Sequence, residues 1–352
     1  MANHLVIMAG GVGSRFWPMS TPERPKQFLD ITGCGRTMIQ QTVDRFGSLI
    51  DMEHVWVVTS AHYAALVAEQ LDGIQTQHIL LEPCMRNTAP CIAYVSWKIQ
   101  AEDPDAAIFV AASDHLVTDV AEFRRIVALG LDFVASEARI LTLGMRPTRP
   151  ETGYGYIQQG ALCDLPTSSE APIYRLQAFR EKPDLATAER YLSSGDYTWN
   201  SGMFLWSVRT IVAELRQYAP EIAAVMDRIA PAFFTPQEQD AVNEYFPTCP
   251  KISIDYAVME KTTRAYVLPA EFGWSDLGTW GSLHVLTPQD EARNAVIGDN
   301  VSLIESQGCM VRMPAGKKVV IQGLQDCIVV EHEGVLLICR LQDEQRIKEW
   351  HS

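Results

Sequence analysis

The chain has 352 residues, of which 47% are hydrophobic and 20% charged, and a formal net charge of −14. That length can bury a sizeable core without staples and suggests two domains, or one large domain with an appendage. The acidic balance excludes wholesale nucleic-acid binding, which needs a positive field, but not a small anionic ligand, because a few local cations can reverse the potential inside one cleft.

In chain order, His4 to Met8 reads as a strand that empties into Ala9-Gly10-Gly11-Val12-Gly13-Ser14-Arg15. Bare backbone N–H groups in such a turn let phosphate oxygens approach closely. No Gly-Lys-Ser/Thr follows, so it is not a Walker A loop, and Phe16 stands where a dinucleotide fingerprint needs its third glycine. The string continues Arg15-Phe16-Trp17-Pro18-Met19-Ser20 and Arg24-Pro25-Lys26-Gln27-Phe28, where prolines fix the loop and present Arg15 and Lys26 beside the turn. Two such cations suit a departing pyrophosphate. Thr37 to Gln40 opens a helix with capping-box chemistry. Val55 to Thr59 is a second strand and Ala61 to Leu71 a helix. Ala107 to Ala111 is a buried strand ending at Ser113-Asp114-His115, and Asp184 caps a helix running to about Ser194, with Gly195 as its left-handed stop.

After about residue 285 the texture changes to short β-rich segments at 301–304, 318–321, 327–330 and 335–338, punctuated by Gly298, Gly308, Gly316, Gly323 and Gly334. They suggest a small all-β module, solenoid-like in the manner of a left-handed β-helix but without a clean repeat period. The expected organisation is therefore α/β: a Rossmann-like domain over 1–285 with a mixed, mostly parallel sheet, and a β-rich domain over 286–352. No apolar run approaches the roughly 18 residues of a membrane span, and the N-terminus lacks the positive start of a secretory signal. A cytoplasmic protein without a membrane partner is expected. The eight cysteines stand singly, without C-x-x-C, and read as reduced thiols rather than zinc ligands.

The string G-G-x-G-S-R-x-W-P-x-S…P-K-Q-F resembles the signature of the sugar-nucleotide pyrophosphorylases. Trp17-Pro18 and Lys26-Gln27-Phe28 are similar to the mannose-1-phosphate guanylyltransferase branch. Further matches follow in family order: Glu82-Pro83…Arg86-Asn87-Thr88-Ala89-Pro90, Ser113-Asp114-His115, Glu151-Thr152-Gly153-Tyr154-Gly155-Tyr156-Ile157, Glu181-Lys182-Pro183, Trp199-Asn200-Ser201-Gly202-Met203-Phe204, Ile254-Asp255-Tyr256-Ala257-Val258-Met259-Glu260 and Gly273-Trp274-Ser275-Asp276. The resemblance implies a nucleotidyltransferase fold and transfer of a guanylyl group from GTP to mannose 1-phosphate. The same class with another nucleotide or hexose, and a non-catalytic nucleotide-sugar sensor, stand as alternatives.

It also implies roles. Ala9, Gly10, Gly11, Gly13, Ser14, Ser113 and Asp114 would hold the nucleotide, and Glu82 with Asn87 and Thr88 would face its base. Arg15 and Lys26 would stabilise the leaving group, and Lys182 would hold the attacking sugar phosphate. Gly153, Tyr154, Glu181 and Asn200 would read the sugar, while Asp114 and Asp276 would seat Mg²⁺, a hard cation commonly held by one or two carboxylates plus phosphates. A homodimer is compatible with the resemblance. A fused isomerase domain, present in longer relatives of the family, is not expected, so a partner enzyme would supply mannose 1-phosphate. A nicotinamide-dependent oxidoreductase is disfavoured because the second strand ends Val58-Thr59-Ser60 without an acidic residue for the ribose.

Overall fold

In the computed structural model the described residues are 2–11, 13–163 and 171–350; Val12 of the glycine turn lies outside them. The strands are β1 (Asn3–Ala9), β2 (Val55–Ser60), β3 (Ile79–Glu82), β4 (Ala107–Ala112), β5 (Leu116–Val117), β6 (Ile140–Met145), β7 (Tyr156–Leu162), β8 (Tyr174–Arg180), β9 (Tyr197–Ser207), β10 (Ala265–Ala270), β11 (Trp274–Ser275), β12 (Ala295–Ile297), β13 (Val301–Ile304), β14 (Met310–Arg312), β15 (Val319–Gln322), β16 (Cys327–His332) and β17 (Val335–Arg340). The α-helices are α1 (Met38–Asp44), α2 (Ala64–Gln70), α3 (Thr88–Glu102), α4 (Val120–Ala135), α5 (Leu185–Ser194), α6 (Val208–Tyr218), α7 (Pro220–Ile229), α8 (Glu238–Tyr245) and α9 (Trp280–Leu286).

Contacts divide the chain into two compact units. Unit 1 is Met1–Gly10, Val43–Ala112 and Val117–Trp274; unit 2 is Gly11–Thr42, Ser113–Leu116 and Ser275–Ser352. The change of texture near residue 285 thus falls inside unit 2. The reason is a shared core: Phe16, Met19, Leu29 and Ile31 from the early segment pack with Trp280, Leu283, Met310 and Ile328.

Unit 1 is built on a nine-stranded sheet in the order β3-β2-β1-β4-β9-β6-β10-β8-β7. Strands β3, β2, β1 and β4 run parallel, and their almost unbroken apolar runs fit burial on both faces. The long β9 is antiparallel to both β4 and β6, opposing Phe204 to Val110 and to Thr142, so the sheet is mixed at its centre. Helix α3 is buried from Ala89 to Ile99 and shares the main core with α6 through Ile92, Val95, Ile211 and Leu215. Side-chain caps start the helices: Asp119 accepts from Glu122 N at 3.0 Å, Asp184 from Thr187 N at 2.8 Å and Ser207 from Thr210 N at 3.2 Å. Gly195 ends α5 in the left-handed conformation, as its sequence suggests. No helix among the described residues is long and apolar enough to cross a membrane.

In unit 2, β12, β14 and β16 form parallel neighbours with β17 antiparallel at the edge, and β13 pairs with β15 in a second small sheet. Met310 faces Ile328 and Val301 faces Val319, the same step in both sheets, whereas Ala295 faces Met310 across a shorter one. That unequal step is why no clean period shows in the sequence. Helix α9 opens with a capping box between Thr279 and Ser282.

Candidate active site

Strands β1 and β4 are parallel neighbours, so their carboxyl ends release Gly10-Gly11 and Ser113-Asp114 at one edge of the sheet, where open α/β folds place ligands. The segments that follow belong to unit 2 and fold around one side chain. Gly13 adopts φ 66°, and a Cβ there would lie 2.6 Å from Lys26 Cβ, so only glycine lets the turn close over the lysine stem. Ser14–Phe16 is a short 3-10 turn, and Gln27 Nε2 donates to Gly11 O at 2.9 Å. Arg15 is exposed and makes no hydrogen bond or ion pair with the described residues.

Lys26 is only 3% exposed. Its Nζ donates to Asp276 O at 3.0 Å and Leu277 O at 2.9 Å, and lies 2.9 Å from Asp114 Oδ2. An ammonium has three hydrogens, so all of them meet protein oxygens in this arrangement. Lys26 therefore joins the Asp114 carboxylate to the main chain of Asp276 instead of standing beside the turn as a loose cation. Burial pushes the Asp114 carboxyl up, but the charges of Lys26 and His115 and the Lys26 hydrogen bond outweigh it and hold the group below the usual carboxylate range. Asp114 keeps a 29% exposed side chain, while Ser113 before it is buried with its carbonyl accepting from Thr42 Oγ1 at 3.3 Å. Leu277 has φ 46°, a strained setting for a branched residue. Gly278 leaves room for the Asp276 carboxylate, since a Cβ there would come within 2.9 Å of Oδ2.

Carboxylates such as those of Asp114 and Asp276 are the kind of hard-oxygen donor that Mg²⁺ takes together with phosphates and water. No group of three or more His, Cys, Asp or Glu among the described residues could hold a metal by itself.

Unit 1 carries the other candidates. Glu181 follows β8, is 17% exposed and pairs through Oε1 with Lys182 Nζ at 3.2 Å; Lys182 is 64% exposed with φ 45°. Asn200 on β9 has its N–H on Gly155 O at 2.8 Å, and its Oδ1 accepts from Gly202 N at 3.1 Å. Its Nδ2 donates to Asp255 Oδ1 at 3.2 Å. A Cβ on Gly155 would meet Glu181 Oε2 at 2.6 Å and Asn200 Cβ at 3.2 Å, so the bare glycine lets these groups gather. The Gly153 N–H donates to Glu151 Oε1 at 2.9 Å. Tyr154 lies edge-on to Trp199 and Trp274.

At the end of β3, Glu82 Oε1 is buried without a hydrogen-bond partner among the described residues. Burial pushes the carboxyl up to about 7, against a hydrogen bond with the Cys91 thiol that works downward. Asn87 Oδ1 caps α3 by accepting from Thr88 N at 2.8 Å, and Thr88 Oγ1 accepts from Ile254 N at 2.9 Å. Thr88 thereby ties the head of α3 to the segment leading to Asp255. Sequence reasoning gave no role to Asp255 or Gly155, although both stand inside motifs it singled out. A cavity of about 630 Å³ beside β3, floored by Lys98 and Glu238, contains none of the candidates.

The nucleotidyl transferase family model matches residues 4–293. The alginate biosynthesis protein AlgA of Pseudomonas aeruginosa is 38% identical over 349 residues, 97% of this chain and 70% of that relative. A mannose-1-phosphate guanylyltransferase of Klebsiella pneumoniae is 36% identical over 348 residues, 98% of this chain and 72% of that relative. A solved structure described as mannose-1-phosphate geranyltransferase of Thermus thermophilus matches with TM-score 0.87 at 31% identity, covering 99% of this chain and 98% of that one. With a strand-to-glycine-turn opening, an ionised aspartate at the carboxyl edge of the sheet and a family match over most of its length, the chain belongs to the nucleotidyl transferase family.

Proposed function

We propose that the chain transfers the guanylyl group of GTP to α-D-mannose 1-phosphate, giving GDP-mannose and pyrophosphate. The observation that carries the reaction class is Asp114, held ionised by Lys26 at the carboxyl edge of the sheet next to the glycine turn. The similarity to a relative named mannose-1-phosphate guanylyltransferase, over 98% of this chain and 72% of that relative, supports the base and the hexose.

An oxygen of the sugar phosphate attacks the α-phosphorus of the nucleotide, and the bond to the β-phosphate oxygen breaks on the opposite side. The attacking oxygen is already ionised, so no general base is required. Two polyanions must meet, and positioning and charge neutralisation supply most of the rate. Exposed Arg15 is the cation for the departing pyrophosphate. Lys182, paired with Glu181 and largely exposed, is the cation for the sugar phosphate. Lys26 acts through Asp114 as a positioning residue. Asp114 and Asp276 are the residues that would hold Mg²⁺, which when bound neutralises phosphate charge. Glu82 and the Asn87-Thr88 turn face the base in this reading, with Glu181 and Asn200 on the hexose. The cytoplasm is the proposed place of work, and a homodimer the assembly for sedimentation to test.

The test is pyrophosphate release over a matrix of four nucleoside triphosphates and several hexose 1-phosphates, with and without Mg²⁺. Release confined to GTP with mannose 1-phosphate and dependent on the metal supports the proposal in full. Equal or greater release with another nucleotide or sugar overturns the specificity. No release from any pair sinks the enzymatic reading.

A further inference from the structure

Asp255 has no cation within ion-pair range among the described residues, yet its half-buried carboxyl stands near a second carboxylate, Glu181. Its contacts are Asn200 Nδ2 at 3.2 Å and the hydroxyl of Ser253. Burial first, and then the charge of Glu181, push it up to about 6. Lys182, the candidate cation of this group, is engaged instead on Glu181 Oε1. A carboxyl in such a place costs stability unless something else supplies donors.

The backbone is also arranged for it. Asp255 opens a π-helical turn, Asp255–Met259, closed by Glu260 N on Asp255 O at 2.9 Å, a geometry that recurs at functional sites. The residues just before it are anchored to the head of α3 by Ala89 N on Ile252 O at 3.1 Å and Ile254 N on Thr88 Oγ1 at 2.9 Å. The absence of a side chain at Gly155 clears the space around Glu181 and Asn200. Neighbouring carboxyls next to an amide fixed at both ends suit hydroxyl donors, which a hexose presents in quantity and a phosphate does not.

We infer that Asp255 is a hexose-contacting residue, which accepts a sugar hydroxyl alongside Glu181 and fixes the amide of Asn200 for the same task. This rests on the reading of the chain as a sugar 1-phosphate transferase and extends its sugar contacts to a residue with no previous role.

The test uses Asp255→Asn, with Asp255→Ser carried in parallel should one variant fold poorly. Steady-state kinetics with GTP and mannose 1-phosphate are run beside thermal melts, and repeated with the singly deoxygenated mannose 1-phosphates. In both variants KM for mannose 1-phosphate rises about tenfold or more, the size of one lost hydrogen bond to a charged group, while KM for GTP stays within about twofold. One deoxy analogue loses kcat/KM with the wild type but shows no further loss with D255N. An unchanged sugar KM, or a rise in both KM values together with a lower melting temperature, overturns the inference and reduces Asp255 to a structural group. If the wild type itself makes no GDP-mannose, the functional reading falls and this inference with it; if the wild type is active and D255N keeps its sugar KM, only the inference falls.

Discussion

Replacing Lys26 with methionine keeps the buried stem and deletes the ammonium, so it isolates what that charge does. Three oxygens lose their donor: Asp114 Oδ2, Asp276 O and Leu277 O. Removing one partner of a buried pair costs about 3–5 kcal/mol, and an exposed pair about 0–1. Asp114 is partly exposed, so its share falls between these limits, at about 1–2 kcal/mol. The two carbonyls add about 1–3 kcal/mol together if water replaces the ammonium only in part. The total of about 2–5 kcal/mol corresponds to a fall of roughly 3–7 °C in the melting temperature for a chain of this length. The sign with pH is fixed by Asp114, whose folded pKa is lowered. Its stabilisation is present above the unfolded carboxylate value and is lost as pH falls through the folded one. In K26M only the charge of His115 and a backbone hydrogen bond still oppose burial, so Asp114 takes up a proton at higher pH and the gap between the two proteins narrows in acid. Differential scanning calorimetry of both proteins from pH 7 down through the carboxylate range reads this directly. A mutant melting within a degree or so of the wild type at pH 7, or a gap that does not change with pH, would refute the assignment of Lys26 as the clamp on Asp114.

Four further outcomes are expected. Arg15→Met should lower kcat by about 10²–10³, as for loss of one transition-state donor, with an unchanged melting temperature because Arg15 is exposed and unpaired among the described residues; an undiminished kcat removes it from the leaving-group role. Asp276→Asn should lose activity by orders of magnitude while staying folded by circular dichroism, and normal turnover would remove the metal assignment. Gly155→Ala puts a Cβ 2.6 Å from Glu181 Oε2, so KM for the sugar phosphate should rise with KM for GTP unaffected, measured in the same assay. His4 is buried, accepts from Trp56 Nε1 at 2.9 Å, and has its pKa lowered from 6.5 to about 4, chiefly by burial. The neutral form is therefore favoured by folding: its contribution is whole above about 6.5 and declines towards pH 4, by up to about 1.4 kcal/mol per pH unit for one proton. His4→Gln should flatten that decline in denaturant titrations.

Local chemistry was legible in the sequence and long-range chemistry was not. Asp184 and Gly195 bound a helix because capping and left-handed stops are decided by a few adjacent residues. The strands at the end of the chain were legible because short apolar runs between glycines have few other options. The long β9 was less so: Tyr197–Ser207 is half polar, and its place between β4 and β6 depends on partners far away in the chain. Lys26 shows the limit most clearly. Its sequence neighbours, Pro25 and Gln27, suggest an exposed loop, but the atoms that bury it lie up to 251 residues away. The early segment likewise gives no local sign that Phe16 and Met19 share a core with Ile328, and so the compact units do not follow the change in texture.

Backbone strain is a second trace that residue type alone conceals. Asn87, Lys182 and Leu277 all have positive φ, at 67°, 45° and 46°; the first two stand inside motifs read as chemical and Leu277 directly follows one. A non-glycine residue in that region costs about 1–3 kcal/mol and persists only where its surroundings over-determine it. The surroundings are specific in each case. Asn87 spends its side chain on the α3 cap, Leu277 gives its carbonyl to Lys26, and Lys182 precedes a proline while its ammonium reaches Glu181. Glycine would relieve the strain at any of the three, but it would remove the cap at Asn87 and the cation at Lys182. At Leu277 the carbonyl is main chain and would survive, yet a buried core side chain would be lost. The strain is thus tied to side chains the fold or the reaction needs, which is why these positions are not glycine although their backbone geometry favours it.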